Sequence, residues 1–412
     1  MNRKIIALIL TGIISVLLIT GCSSQTEGQN VSSTDTTQET AQITEETSEI
    51  LPAQARIGIA YVTGEGEFTP FFISKTRGYL ISAGILEENI ERAGVSQSEL
   101  ADIAKEMIAK GCHVLMVGGA DAESAPGITN AAAKADIPVL YFGTSPGEEE
   151  IARWEKEGIR AAYVGSTYEK SAAKRADLIA SADIEKIDES GDEEIGYVAL
   201  YTGEEKPGDM VNRETIRILE EQDVPIYELA SDDANEISGE YADEETAEDE
   251  TAEDETAETG SEEDSGEEQD EEPAAQLTRE DAKEQVIEWM KEYGKDLEVI
   301  FCADDMQALG AYDAISEEKK KVGHDVLIMG FESNTDSLRE IAAGNIRSSF
   351  FNDFMEQSMK ASEGVLAFLK GSPVQTSAIS DYVSVTVDNA QEILDISLNT
   401  KENDPELADS EG

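Results

Sequence analysis

Histidine is nearly absent from this 412-residue chain: His113 and His324 are the only two. An imidazole-based zinc site, or a serine nucleophile with a histidine base, therefore has little to work with. Cysteine is almost as scarce. Of the three, Cys22 ends an N-terminal apolar stretch, while Cys112 and Cys302 lie in or beside the apolar runs "GCHVLMV" and "VIFCA". That setting suits two buried reduced thiols, not a disulfide or a metal pair. Bases are heavily outnumbered, with 31 Lys and Arg against 89 Asp and Glu, for a formal charge of -58. A phosphate backbone needs a Lys/Arg footprint, so nucleic-acid partners are excluded. Residues 231–272 carry 22 acids and no base, yet removing them still leaves about -36. The acidity is thus a property of the whole surface, favouring solubility without naming a partner.

Long apolar runs are confined to the N-terminus. "MNRK", then "IIALILTGIISVLLITG", then Cys22 follow the order basic, apolar, small residues, cysteine. This reads as a lipoprotein signal peptide over 1–21, with Cys22 as the lipidated residue; an uncleaved anchor helix would equally leave the remainder outside the cytoplasm. Residues 22–54 begin with a stretch almost devoid of apolar side chains and read as a tether. Residues 231–275 contain the tandem "AEDETAEDETAET" and read as an acidic disordered insert. An acidic tail is expected over 399–412.

Between these segments, β-branched runs alternate with amphipathic ones. "RIGIAYV", "HVLMVGG", "IPVLYFG", "GYVALYTG", "VPIYELA", "LEVIFCA" and "DVLIMGF" are near-continuous apolar runs, as parallel strands covered on both faces require. "QSELADIAKEMIAKG" and "RETIRILEEQ" carry helical spacing. The alternation resumes after the insert, where Val286, Met290, Tyr293 and Leu297 share a helix face and Trp289 is read as core. An α/β doubly wound architecture with two sheets follows.

Ligands of open α/β sheets bind outside the carboxyl ends of the strands. Those ends carry Glu67 and Phe68, Gly118 and Asp121, Asp209 and Arg213, Asp304 and Asp305, Glu332, then Asn352. Acids and amides, one Arg and one aromatic suit a polyol: carboxylates accept from hydroxyls, Arg donates, and a ring covers the apolar sugar face. Two carboxylates would also suffice for glycoside hydrolysis, which stays open at this level.

From Arg56 to about Leu394 the chain resembles the galactose/glucose-binding proteins, within the type I periplasmic-binding proteins. The resemblance rests on "RIGIAYVTGEGEF", "AKGCHVLMVGGADAESA", "AYVGSTYEKSAAKRADLIA", "GEEKPGDMVNR", "EVIFCADDMQALGA" and "FFNDFMEQSMKASEGVLAFLKG". It implies two doubly wound parallel-sheet lobes joined by a hinge, one from 55–163 plus 352–383, the other from 164–351 plus 384–398. It implies Phe68 as the sugar-stacking aromatic, Asp209, Arg213, Asp304, Glu332 and Asn352 as ligand contacts, and Asp305 as a cap or brace of the helix start. It also carries a calcium loop onto Asp188, Ser190, Asp192 and Glu194 with the remote Glu298. Glu193 stands there at the sharp-turn glycine position and Gly196 removes a side-chain ligand, so a plain acidic turn is the competing reading. Further departures are Gly118 in place of Asn, Gly66 in place of an acid, Pro207 in place of His, and Leu277 in place of a second stacking Trp.

The implied function is a monomeric, lipid-anchored sugar-binding protein that hands a galactose-like monosaccharide to an ABC permease. Its place is the outer face of a cell membrane, by expectation Gram-positive. No cofactor is required, and at most one structural calcium is implied. A binding protein serving a membrane receptor and a lipid-anchored glycoside hydrolase are the competing functions. A LacI-type regulator fails for want of DNA-binding helices and a basic surface.

Overall fold

The computed structural model describes residues 49–64, 66–181, 187–188, 190–203, 206–232, 277–318, 326–404 and 407. The expected signal peptide with Cys22, most of the expected tether and nearly all of the expected acidic insert lie outside the described residues.

The first sheet has the order β11-β5-β4-β3-β1-β2. Its strands are β1 (Ile57–Val62), β2 (Ile90–Val95), β3 (Val114–Gly118), β4 (Val139–Phe142), β5 (Ala161–Thr167) and β11 (Ser377–Asp381). All pairings are parallel, with Ile57 opposite both Ile90 and Val114. The second sheet, β7-β6-β8-β9, is parallel too, formed by β6 (Ile195–Leu200), β7 (Ile226–Ser231), β8 (Val299–Cys302) and β9 (Leu327–Met329). Each of the seven apolar runs becomes one of these strands.

Their apolar continuity has a direct cause. Along β3, Val114 and Met116 join one core cluster while Leu115 and Val117 join another on the opposite face; β4 divides Leu140 and Phe142 from Val139 and Tyr141 in the same way. With helices on both faces, neither set of alternating side chains meets water, and each fully buried large aliphatic or aromatic contributes about 1.5–3 kcal/mol. Of the strands of the two sheets that the pattern does not flag, β2 and β11 are edges, while β5 lies inside, between β11 and β4. β2 buries only Ile90, and β11 only Ser380.

Helices α1 (Phe68–Ser82), α2 (Leu100–Ala109), α3 (Ala125–Lys134), α4 (Glu148–Glu157) and α10 (Phe354–Leu369) accompany the first sheet. Helices α5 (Ser171–Ala180), α6 (Pro207–Glu221), α7 (Arg279–Tyr293), α8 (Asp305–Glu317) and α9 (Thr335–Ala343) accompany the second. Thr278 and Asp281 form a capping box at the start of α7, and Gly294 ends it. Its inner face buries Val286, Trp289 and Met290, so Trp289 is core.

The chain crosses between the lobes beside a short antiparallel pair, β10 (Ser349–Phe351) with β12 (Val383–Val385). Helix α11 (Ala390–Glu402) packs on α9 of one lobe and α1 of the other. It carries helical structure four residues into the expected tail, and β5 runs to Thr167, past the expected segment end at 163. Cys112 and Cys302 are buried free thiols.

Candidate functional site

A cleft of about 800 Å³ lies between the carboxyl ends of the two sheets. Phe68, Asp304, Glu332 and Asn352 all line it, together with Lys206 and Tyr382.

Phe68 is the first residue of α1 and half-buried. It stacks on Phe72 at 5.7 Å between ring centroids, and Phe72 stacks on Phe142 at 4.5 Å. The aromatic column fixes one face of Phe68 and leaves the ring at the cleft. It also explains Gly118: a Cβ there would stand 2.4 Å from the Phe142 ring. The aromatic stack thus excludes the polar side chain that the family resemblance places at this position.

Across the cleft, the adjacent pair at 304 and 305 splits into two tasks. Asp304 is the N-cap of α8, with Oδ1 accepting from the Gln307 amide at 2.8 Å, and it also lines the cleft. Capping therefore belongs to Asp304. Asp305 is the brace: buried, it accepts from the Ser349 hydroxyl at 2.8 Å, the Asn334 amide at 2.7 Å and the Ser337 hydroxyl. Burial pushes its carboxyl up to about 7, against the downward pull of these hydrogen bonds.

Glu332 sits in an unusual backbone. Its φ is 95°, that of Ser333 is 55°, and both lie in the left-handed region. Hydrogen bonds from the Glu332 amide to the Phe350 carbonyl at 3.0 Å, and from the Ser333 amide to Ser349 Oγ at 3.2 Å, hold the turn. The side chain reaches solvent within the cleft, yet protein surrounds it. That desolvation, then the Asp304 charge, push the carboxyl up to about 7, with Lys206 pulling the other way.

Asn352 follows β10 at the crossover. Its Oδ1 accepts from Gln357 Nε2 at 2.6 Å, which orients its NH2 group to donate to a ligand.

Asp209 and Arg213 do not line the cleft among the described residues. Asp209 is fully buried and accepts from the Thr202 amide at 2.8 Å, the Thr202 hydroxyl at 2.5 Å and the Lys206 amide at 3.1 Å. Its carboxylate organises the turn before α6. Arg213, one helical turn on, places its guanidinium 4.8 Å from the centre of the Tyr201 ring. Spacing four residues apart put both on one helix face, but not on the face that meets the cleft.

The loop expected to hold calcium closes on itself. Asp188 accepts from the Ser190 hydroxyl at 3.0 Å and the Glu193 amide at 2.9 Å, and Asp192 from the Glu194 amide at 3.0 Å. Glu298 is buried and accepts from the amides of Ser190 at 3.3 Å and Gly196 at 2.8 Å. Among the described residues no cluster of three or more acids, histidines or cysteines is disposed to hold a metal. Glu193 adopts φ 69° at the sharp turn, and Gly196 is imposed by the Asp296 carbonyl, 1.9 Å from where a Cβ would stand. The acidic-turn reading is the one the geometry fits.

Of the remaining departures, Gly66 and Pro207 line the cleft, while Leu277 packs against the core. Sequence reasoning passed over Lys206 and Tyr382. Lys206 precedes the Pro that opens α6, a helix-start signal that could have drawn attention to it. Tyr382, stacked on Phe331 at 5.1 Å, carries no comparable local signal.

A family profile described as the periplasmic binding protein domain matches residues 82–373. The D-galactose/methyl-galactoside binding periplasmic protein of Haemophilus influenzae is 25% identical over 312 residues, covering 74% of this chain and 78% of that one. Among solved structures, a periplasmic solute binding protein of an ABC transporter from Actinobacillus succinogenes with bound D-allose superposes with a TM-score of 0.57 at 15% identity. It covers 82% of this chain and 99% of its own. The binding component of an arabinose transporter from Shewanella gives 0.58 at 14% identity, covering 86% and 98%. These likenesses establish the two-lobe fold.

Proposed function

Because the chain belongs to the periplasmic binding protein family, we propose that it captures a galactose- or glucose-like monosaccharide between its lobes and delivers it to an ABC permease. The relatives named above are solute-binding proteins of the extracytoplasmic space, not enzymes. The observation that carries the sugar reading is the meeting of Phe68, Asp304, Glu332 and Asn352 around one cleft, from four separate strand ends. An aromatic face, two carboxylates and an amide donor are the groups a pyranose ring uses, and no bond need be made or broken.

Hinge closure would withdraw these hydrogen bonds from water and present one closed shape to the permease. The protein acts as a monomer, tethered through a lipid on Cys22 at the outer face of a Gram-positive membrane. Cys22→Ala should then release it into the medium. The division into segments 55–163 plus 352–383 and 164–351 plus 384–398 is part of the same proposal.

Thermal unfolding of the purified domain against monosaccharides, amino acids and nucleosides tests the reading. One or a few monosaccharides should raise the melting temperature. A response confined to amino acids or nucleosides would refute the sugar assignment.

A further inference from the structure

Resting on the monosaccharide reading of this cleft, we infer that the ligand carries a cationic amino group, as an amino sugar does, received by Glu332 with Asp304 beside it. The inference starts from a carboxylate with nothing to hold. The Glu332 side chain accepts no hydrogen bond from any described residue. The other acids on the cleft walls are committed: Asp305 to Ser337, Ser349 and Asn334, Glu67 to Thr335, and Asp336 to Arg339. Asp304 has one oxygen on the Gln307 amide. Meanwhile Glu332 and Ser333 occupy left-handed backbone that non-glycine residues adopt at a cost, and such outliers gather where a side chain must be presented to a ligand.

The donor side of the cleft is correspondingly thin. Lys206 is the only cationic side chain on its described walls. Arg213 lies against Tyr201, and positions 118 and 207 are Gly and Pro. Where the protein supplies acceptors in excess, the ligand must bring donors, and an ammonium group brings three together with a charge. A cation at this point also relieves the repulsion between Glu332 and Asp304, which adds to desolvation in holding the Glu332 carboxyl high.

Calorimetric titration of the purified chain with three matched sets tests this: galactose and glucose, their 2-amino-2-deoxy derivatives, and the N-acetylated forms that keep the bulk and lose the charge. The amino sugars should bind at least about tenfold tighter than both neutral sets. Glu332→Gln should erase that discrimination, bringing amino and neutral sugars to equal affinity. Neutral sugars binding as tightly as amino sugars, or tighter, would overturn the inference while leaving the monosaccharide reading in place. Discrimination that survives Glu332→Gln would overturn the role given to Glu332. Binding by none of the three sets would overturn the inference and the monosaccharide reading together.

Discussion

Glu67 of the first lobe accepts both the backbone amide and the hydroxyl of Thr335 in the second, at 2.8 and 2.7 Å. Thr335 is the first residue of α9, so the carboxylate sits at the positive end of a helix and spans the cleft at its rim. These two hydrogen bonds tie one lobe to the other. Glu67→Ala should loosen this state: small-angle scattering of the sugar-free protein should show a larger radius of gyration than the wild type. Identical scattering curves would mean that the latch does not hold the lobes together.

Asp209 is predicted to matter for folding. Removing its carboxylate strands the Thr202 and Lys206 donors at the buried start of α6, so Asp209→Ala should lower stability by roughly 2–4 kcal/mol in urea unfolding. A variant with wild-type stability but lost sugar affinity would restore Asp209 as a ligand contact.

Asp305 predicts a pH dependence. Its carboxyl titrates at about 7 when folded, above the ordinary 3.8. The folded chain thus keeps a proton that the unfolded chain releases. The resulting stability is complete below about pH 4 and drains away as the pH rises to 7, a single such group changing the folding constant by at most about tenfold per pH unit. Asp305→Asn imitates the protonated form, its amide able to donate to Ser349 Oγ. Glu332 contributes a slope of the same sign, while the depressed carboxylates and His113 contribute the opposite one, so the variant should lose Asp305's own share of the slope between pH 4 and 7. An unchanged slope would place the proton elsewhere.

Phe68→Ala should weaken the best sugar of the panel by about tenfold, because one stacking face is lost. Phe72 and Phe142 are buried beneath it, so most of the melting temperature should be kept. Unaltered sugar affinity would reduce Phe68 to a loop anchor.

Chelator followed by calcium should leave the melting temperature where it was. The carboxylates of Asp188, Asp192 and Glu298 already accept from loop amides, so the turn needs no cation to hold its shape. A rise on adding calcium would show that these bonds give way to metal ligation.

Sequence alone determined the architecture, because burial on both faces of a parallel sheet writes itself as a local apolar run. "HVLMVGG" and "LEVIFCA" could be nothing else once helical segments followed them. The rule that ligands gather at the carboxyl ends of such strands also placed Phe68, Asp304, Glu332 and Asn352 together, since strand order does not alter which end a residue occupies. Tertiary structure decided what each side chain does there. Asp209 lost its place on the cleft to a turn seven residues upstream, and Asn352 is oriented by Gln357. Glu67 gained a partner 268 residues away. A hydrogen bond is satisfied by whichever donor lies within 3 Å, and no spacing along the chain records which donor the fold will bring there.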